Sequence, residues 1–267
     1  MREKTIFSLR TFASFAVNTF CSFFQARRGS NRPYGRNPKP LAINRWNTHS
    51  CYGCTLSVNQ TKIFIKLKPL IWLACLLPLA LFAYRFINDD LGANPFEVLT
   101  RDSGEWTLRF LLLTLLMSPL REILGQGWPL AYRRMLGLYT FFYASMHLLT
   151  YIWFDQFFDW EEIVLDIIKR PFITLGMLAF FLLLPLAITS TKGMMRRLGR
   201  NWKKLHRLIY LIAVLGVLHF LLLVKADLFE PTLYAGILFL LLGYRIRQNI
   251  SREKGIKWPL FRLLQRT

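Results

Sequence analysis

Few side chains in this sequence could do chemistry. It has only four histidines in 267 residues, at positions 49, 147, 206 and 219. His147 stands in the apolar stretch 131–154, and His206 and His219 stand in the stretch 205–224. Imidazole is unfavourable in hydrocarbon, so a histidine inside such a stretch is a functional candidate by default. His147 comes seven residues before the end of its stretch, and His219 comes five before the end of its own. At about 1.5 Å per residue, two helices running the same way would hold these rings at similar depth, within about one turn. Two neutral imidazoles facing each other across a gap are what a six-coordinate b-type haem needs. An iron filled on both faces suits electron transfer better than oxygen chemistry. The alternatives are structural histidines bonded to a neighbouring helix, or ligands of another metal.

His206 lies thirteen residues before His219, which is ~20 Å along a helix. That distance suits a second haem stacked below the first. Thirteen residues also turn an ideal helix by ~1300°, so the two rings would point ~140° apart unless a bend or bulge intervened. The third stretch offers no histidine at matching depth: position 134, thirteen before His147, is Arg. Arg133 and Arg134 could instead meet haem propionates or an acidic cofactor. His206 is therefore a cofactor candidate supported from one side only. Met146, Met194 and Met195 could ligate iron, but methionine in an apolar helix is usually packing. Cys75 reads as a small core residue, and the single CxxC of Cys51 and Cys54 is a weak signal for zinc or redox chemistry. The sequence contains no recognisable nucleophile–base pair and no water-facing carboxylate pair, so no catalytic residue is assigned.

The elements that must position these histidines follow from composition. The chain is 54% hydrophobic with 23 Phe and a mean hydropathy of +0.31, yet it carries 35 Lys+Arg against 15 Asp+Glu. Such a chain is too apolar for disorder or an ordinary soluble domain. A net charge of +20 would fit nucleic-acid binding, but the apolar residues come in blocks of about twenty, the length that crosses a bilayer. The blocks cover residues 70–87, 106–120, 131–154, 172–190, 205–224 and 232–244. Their connections alternate in charge. Residues 89–105 carry five acids and one base, and the connection between the third and fourth blocks carries five acids against Lys169 and Arg170. Residues 191–207 carry seven bases and no acid. The positive-inside rule then predicts an all-α, polytopic six-helix transmembrane bundle, with both termini cytoplasmic and the lipid bilayer as its solvent. No internal repeat is evident.

Three regions are expected. Residues 1–61 form a basic leader, with nine bases and one acid before residue 61, and the composition predicts disorder there. Val58 is a plausible alternative start, so the leader could be a start-site artefact; N-terminal peptide mapping of the native protein tests this. Residues 62–248 form the six-span domain, and residues 249–267 a basic cytoplasmic tail.

Four stretches together resemble a known family. They are LGANPFEVLTRDSGEWTLRFLLLTLLMSPLR at 91–121, RRMLGLYTFFYASMHLLTY at 133–151, RPFITLGMLAFFLLLPLAITS at 170–190 and RRLGRNWKKLHRLIYLIAVLGVLHF at 196–220. In the positions of their histidines and of the Arg- and Gly-flanked turns they are similar to the MsrQ family. These are haem-binding membrane subunits of the bacterial periplasmic protein-methionine-sulfoxide reductase system, within the wider ferric reductase-like transmembrane group. The resemblance covers about residues 62–247. It implies haem b held by His147 and His219, with His206 a further haem candidate. It implies electrons drawn from the quinone pool and passed to a periplasmic molybdopterin-containing catalytic subunit, which reduces methionine sulfoxide in oxidised envelope proteins. The chain would then be an electron-transfer subunit without a substrate-reducing site of its own. The resemblance also implies flavin mononucleotide (FMN) as a cofactor, with no residues assigned. Two other readings of the residues stay open: a quinol-linked cytochrome b serving another periplasmic enzyme, and a non-redox six-span transporter or assembly factor.

Overall fold

The computed structural model describes residues 67–224 and 228–253. The leader, with its Cys51 and Cys54, and the tail beyond residue 253 lie outside the described residues. Every regular element among the described residues is helical. The first apolar block forms α1 (Lys68–Ala74) and α2 (Leu77–Ile87), interrupted where Pro78 enters. Proline lacks the amide proton that would continue the helix. At this break Leu76 N–H donates to Leu73 O, which frees the Trp72 carbonyl. The Tyr139 hydroxyl donates to Trp72 O at 2.7 Å, and the Tyr143 hydroxyl donates to Cys75 O at 2.9 Å. Both tyrosines are fully buried, so two phenols from the third block fasten the broken first one.

The second block is longer than its apolar residues imply. Helix α3 runs Pro95–Leu124, opened by its proline and closed by Gly125 in a left-handed conformation. The sequence places Glu97, Asp102 and Glu105 in a loop; the structure places them on this helix. The reason is local pairing. Arg101 and Arg109 both reach Glu105 across one helical turn, at 3.5 and 2.8 Å, and Arg85 of α2 meets Asp102 at 3.2 Å. Pairs at i,i+4 let a charged segment stay helical.

Helix α4 (Trp128–Thr150) passes directly into a π-helical turn, Tyr151–Asp155. A short helix α5 (Trp160–Lys169) follows, its first turn capped by the Asp159 carboxylate, which accepts from the Glu161 and Glu162 amides. Only Arg170 separates α5 from α6 (Pro171–Ile188). The basic connection forms two short helices, α7 (Lys192–Leu198) and α8 (Arg200–Leu205). Between them Gly199 has φ +50° and ψ −116°, backbone that a residue with a Cβ rarely adopts. Helix α9 (Leu208–Leu223) and helix α10 (Phe229–Glu253) complete the described residues.

Four stretches are long and apolar enough to cross a membrane: Lys68–Ile87, Pro171–Ile188, Arg200–Leu223 and Phe229–Ser251. Helices α3 and α4 have 30 and 23 residues, long enough to span, but α3 carries seven charged side chains, and α4 carries Arg133, Arg134 and several polar residues. A core forms where Leu108, Leu111, Leu112 and Leu115 of α3 meet Ile209, Ile212, Ala213 and Val217 of α9. Their three- and four-residue spacing puts each set on one helix face. The outward surface is apolar too: Phe239 is 77% and Leu240 70% exposed. A soluble helix would present charge at such positions, so these residues face lipid.

One buried carboxylate ties the connection between α4 and α6. Asp166 accepts from the Tyr151 hydroxyl at 3.2 Å and from Gln156 Nε2 at 2.9 Å, and pairs with Arg170 at 3.2 Å. Replacing it with Ala leaves these donors without their acceptor. Asp166→Ala should lower stability by about 2 kcal/mol, the usual scale for removing one partner of a buried charged network. A thermal melt of purified protein in detergent, followed by tryptophan fluorescence, checks this.

Candidate haem site

His147 lies three residues before the end of α4, and His219 lies four before the end of α9. The structure brings them together, with ring centroids 6.1 Å apart and ring planes at 77°. Each ring is held from a different helix. His147 Nδ1 bonds the Thr100 carbonyl of α3 at 2.8 Å, and His219 Nδ1 bonds the Phe172 carbonyl of α6 at 2.6 Å. A carbonyl can only accept, so each Nδ1 carries the proton and each Nε2 keeps its lone pair.

This arrangement fits a haem iron. Two metal–imidazole bonds of about 2 Å, with about 1 Å from each nitrogen to its ring centre, span ~6 Å between centroids. Ligating histidines usually donate their other ring nitrogen to a carbonyl or carboxylate, which fixes the tautomer and strengthens the ligand. Among the described residues no three His, Cys, Asp or Glu side chains gather as a metal site. A bare ion wants four or more ligands, so a site offering two suits a metal that brings its own equatorial ring. The carbonyl bonds alone would also suit structural histidines; the closeness of the pair, with both Nε2 atoms left as ligand atoms, is what favours a metal.

His206 stands apart from this pair. It caps α8, at the turn that separates α8 from α9. Its ring stacks on Trp202 with centroids 4.0 Å apart, and its Nδ1 lies 3.1 Å from Trp202 O. Trp202 is itself fixed by a 3.0 Å bond from Nε1 to Thr189 O. His206 Nε2 is buried without a partner in hydrogen-bonding geometry, although the Leu186 carbonyl and the Arg133 guanidinium are near enough to act on the ring. Among the described residues no other imidazole contacts it. Arg134 donates to Met195 Sδ at 3.2 Å, which ties the half-buried methionine of α7 to α4. Met146 and Cys75 are buried among apolar neighbours. The Thr100 and Phe172 carbonyls could not be found by residue type, because any residue offers a carbonyl.

The family described as "ferric reductase like transmembrane component" matches residues 103–217. A relative from Rhodospirillum rubrum is 55% identical over 190 residues, 71% of this chain and 91% of its own length. It is described as the protein-methionine-sulfoxide reductase heme-binding subunit MsrQ. The chain belongs to the MsrQ family. MsrQ relatives described in the same words occur in Xanthomonas campestris pv. campestris, 51% identical over 196 residues, and in Azospira oryzae, 51% identical over 195 residues. Those matches cover 71% and 72% of this chain, and 90% and 83% of the two MsrQ relatives. The fold is accordingly the ferric reductase-like all-α membrane fold of the MsrQ group. No solved structure matches the chain.

Proposed function

We propose that the chain is the membrane electron-transfer subunit of a protein-methionine-sulfoxide reductase system, with haem b held between His147 and His219. The observation that carries this is the close imidazole pair, 6.1 Å between centroids, with both Nδ1 atoms committed to backbone carbonyls. A haem bound there would supply one-electron transfer without an open iron position. The chain's own residues hold the two rings in one tautomer, surround them with apolar helices and exclude water. The membrane is the bacterial inner membrane, crossed six times, with both termini in the cytoplasm. The basic α7–α8 connection then faces the cytoplasm, and the end bearing α5 and the histidine pair faces the periplasm. Electrons come from the quinone pool and leave to a periplasmic molybdopterin-containing catalytic subunit, which repairs oxidised methionine in envelope proteins. His206, with Arg133 beside it, marks an inner cofactor position, either a second haem or the point where electrons enter. No described residue is assigned to FMN.

Reconstitution tests this reading. The full chain in vesicles, given a quinol and the periplasmic subunit, should reduce methionine sulfoxide only when all three are present. Reduction with the chain omitted, or none with it, would reject the reading. The acids at the start of α5 also predict how the partner docks. Glu161 and Glu162 are exposed and form no ion pair among the described residues, so a basic surface on the partner would be attracted there. Surface attraction is screened over ~8–10 Å near physiological ionic strength. Transfer should therefore slow as salt rises, and Glu161→Gln with Glu162→Gln should slow it several-fold at low salt. Stopped-flow rates indifferent to salt and to both substitutions would contradict electrostatic docking.

A further inference from the structure

We propose that Gly104 and Gly176 are positioning residues that set the planes of the two imidazoles, and through them the spectrum and reduction potential of the haem. This rests on the haem reading above and goes beyond it by assigning residues that touch neither iron nor substrate. A Cβ built at Gly104 would stand 3.0 Å from His147 Cε1 and 3.1 Å from its Nδ1. A Cβ at Gly176 would stand 2.9 Å from His219 Nδ1 and 3.0 Å from its Cε1. Carbon contacts settle near 3.5–4.0 Å, so neither ring could keep its place beside an alanine. Other glycines of the bundle are not like this. At Gly137 the nearest side-chain atom would be 3.7 Å away, ordinary packing distance.

The two glycines act through the same device. His147 bonds the carbonyl four residues before Gly104, and His219 bonds the carbonyl four residues before Gly176. In a helix that carbonyl already accepts the amide proton of the residue four later, here the glycine itself. Its remaining acceptor side, which at Thr100 also takes the Ser103 hydroxyl at 2.8 Å, is open sideways to the ring because the glycine has no Cβ to cover it. Each histidine follows its carbonyl by the same 47 residues. Thr100 and Phe172, Gly104 and Gly176, and His147 and His219 are each 72 residues apart. The α3–α4 and α6–α9 pairs thus present two seats of the same spacing, the first also holding the Ser103 hydroxyl, and the imidazole planes they impose are close to perpendicular, at 77°.

The consequence is electronic. An Nδ1–H bonded to a carbonyl makes the imidazole a stronger donor to ferric iron. An added methyl group pushes the ring off that carbonyl, weakens the donation and favours the ferrous state. Gly104→Ala and Gly176→Ala should each raise the haem midpoint potential and move the low-field electron paramagnetic resonance feature of the ferric protein, while Gly137→Ala should leave both unchanged. The full chain, purified in detergent, is measured by redox titration and by resonance at matched haem content. Potentials and resonance unchanged in both alanine variants would overturn the inference while leaving the haem reading intact. An unmodified protein without a bis-imidazole haem would overturn both. Where an alanine variant lacks the low-spin haem, free imidazole is added during haem loading. Recovery of the six-coordinate spectrum supports displacement of the ring, and no recovery counts against a positioning role.

Discussion

His147→Ala and His219→Ala should each abolish the six-coordinate low-spin haem spectrum and stop electron delivery. The two rings come from different helices, and each is fixed by one carbonyl of a third or fourth helix. Losing either removes one of two axial bonds, which leaves the iron five-coordinate or lost. The buried methionine nearest in sequence, Met146, precedes His147 by one residue and so lies ~100° around α4, and it cannot take over without unwinding the helix. The loss should therefore be complete. Matched membrane insertion and a monodisperse purified peak separate loss of a ligand from loss of the fold. The reduced-minus-oxidised spectrum then reads the iron, and a quinol-driven assay reads delivery.

His206→Ala should give a different and diagnostic result. Its ring lies at the α8–α9 break against Trp202, remote in sequence from both carbonyl seats, so the spectrum of the His147–His219 haem should persist. If the buried Nε2 of His206 ligates a second iron, haem per chain should fall by about half. If it instead serves electron entry with Arg133, haem content should stay whole while quinol-driven reduction slows. Dithionite reduction, which bypasses the entry site, should then be unaffected. Unaltered haem content together with unaltered quinol-driven reduction would remove His206 from the redox path.

Much of the fold was legible because hydrocarbon imposes simple rules. Blocks of apolar residues with charge confined to their connections specify helices, and each of the six blocks is mostly helical, the first and fifth with a break inside them. What the sequence hid was where polar residues extend a helix. The run from Glu97 to Glu105 looks like a loop, but its acids find arginines one turn away, so α3 starts at Pro95. The break in the first block lies at Pro78, but proline alone does not mark it, since Pro119 and Pro185 leave α3 and α6 unbroken, and the two tyrosines that satisfy it come from residues 139 and 143. Within the site, imidazole announces itself by type and depth. The carbonyls of Thr100 and Phe172 do not, and a glycine reveals its role only when a ring lies against it. The repeated seat is hidden in the sequence for a related reason: three matching positions spread over helices of unequal length leave no run of similar residues to compare.

Near-infrared magnetic circular dichroism of the oxidised full chain tests the central claim most directly, because its charge-transfer band reports which pair of axial ligands the iron has. The structure predicts the bis-imidazole band of a low-spin ferric haem, present in the unmodified protein and absent from the His147→Ala, His219→Ala double variant. A histidine–methionine or high-spin band in the unmodified protein, or a bis-imidazole band that survives in the well-folded double variant, would contradict it.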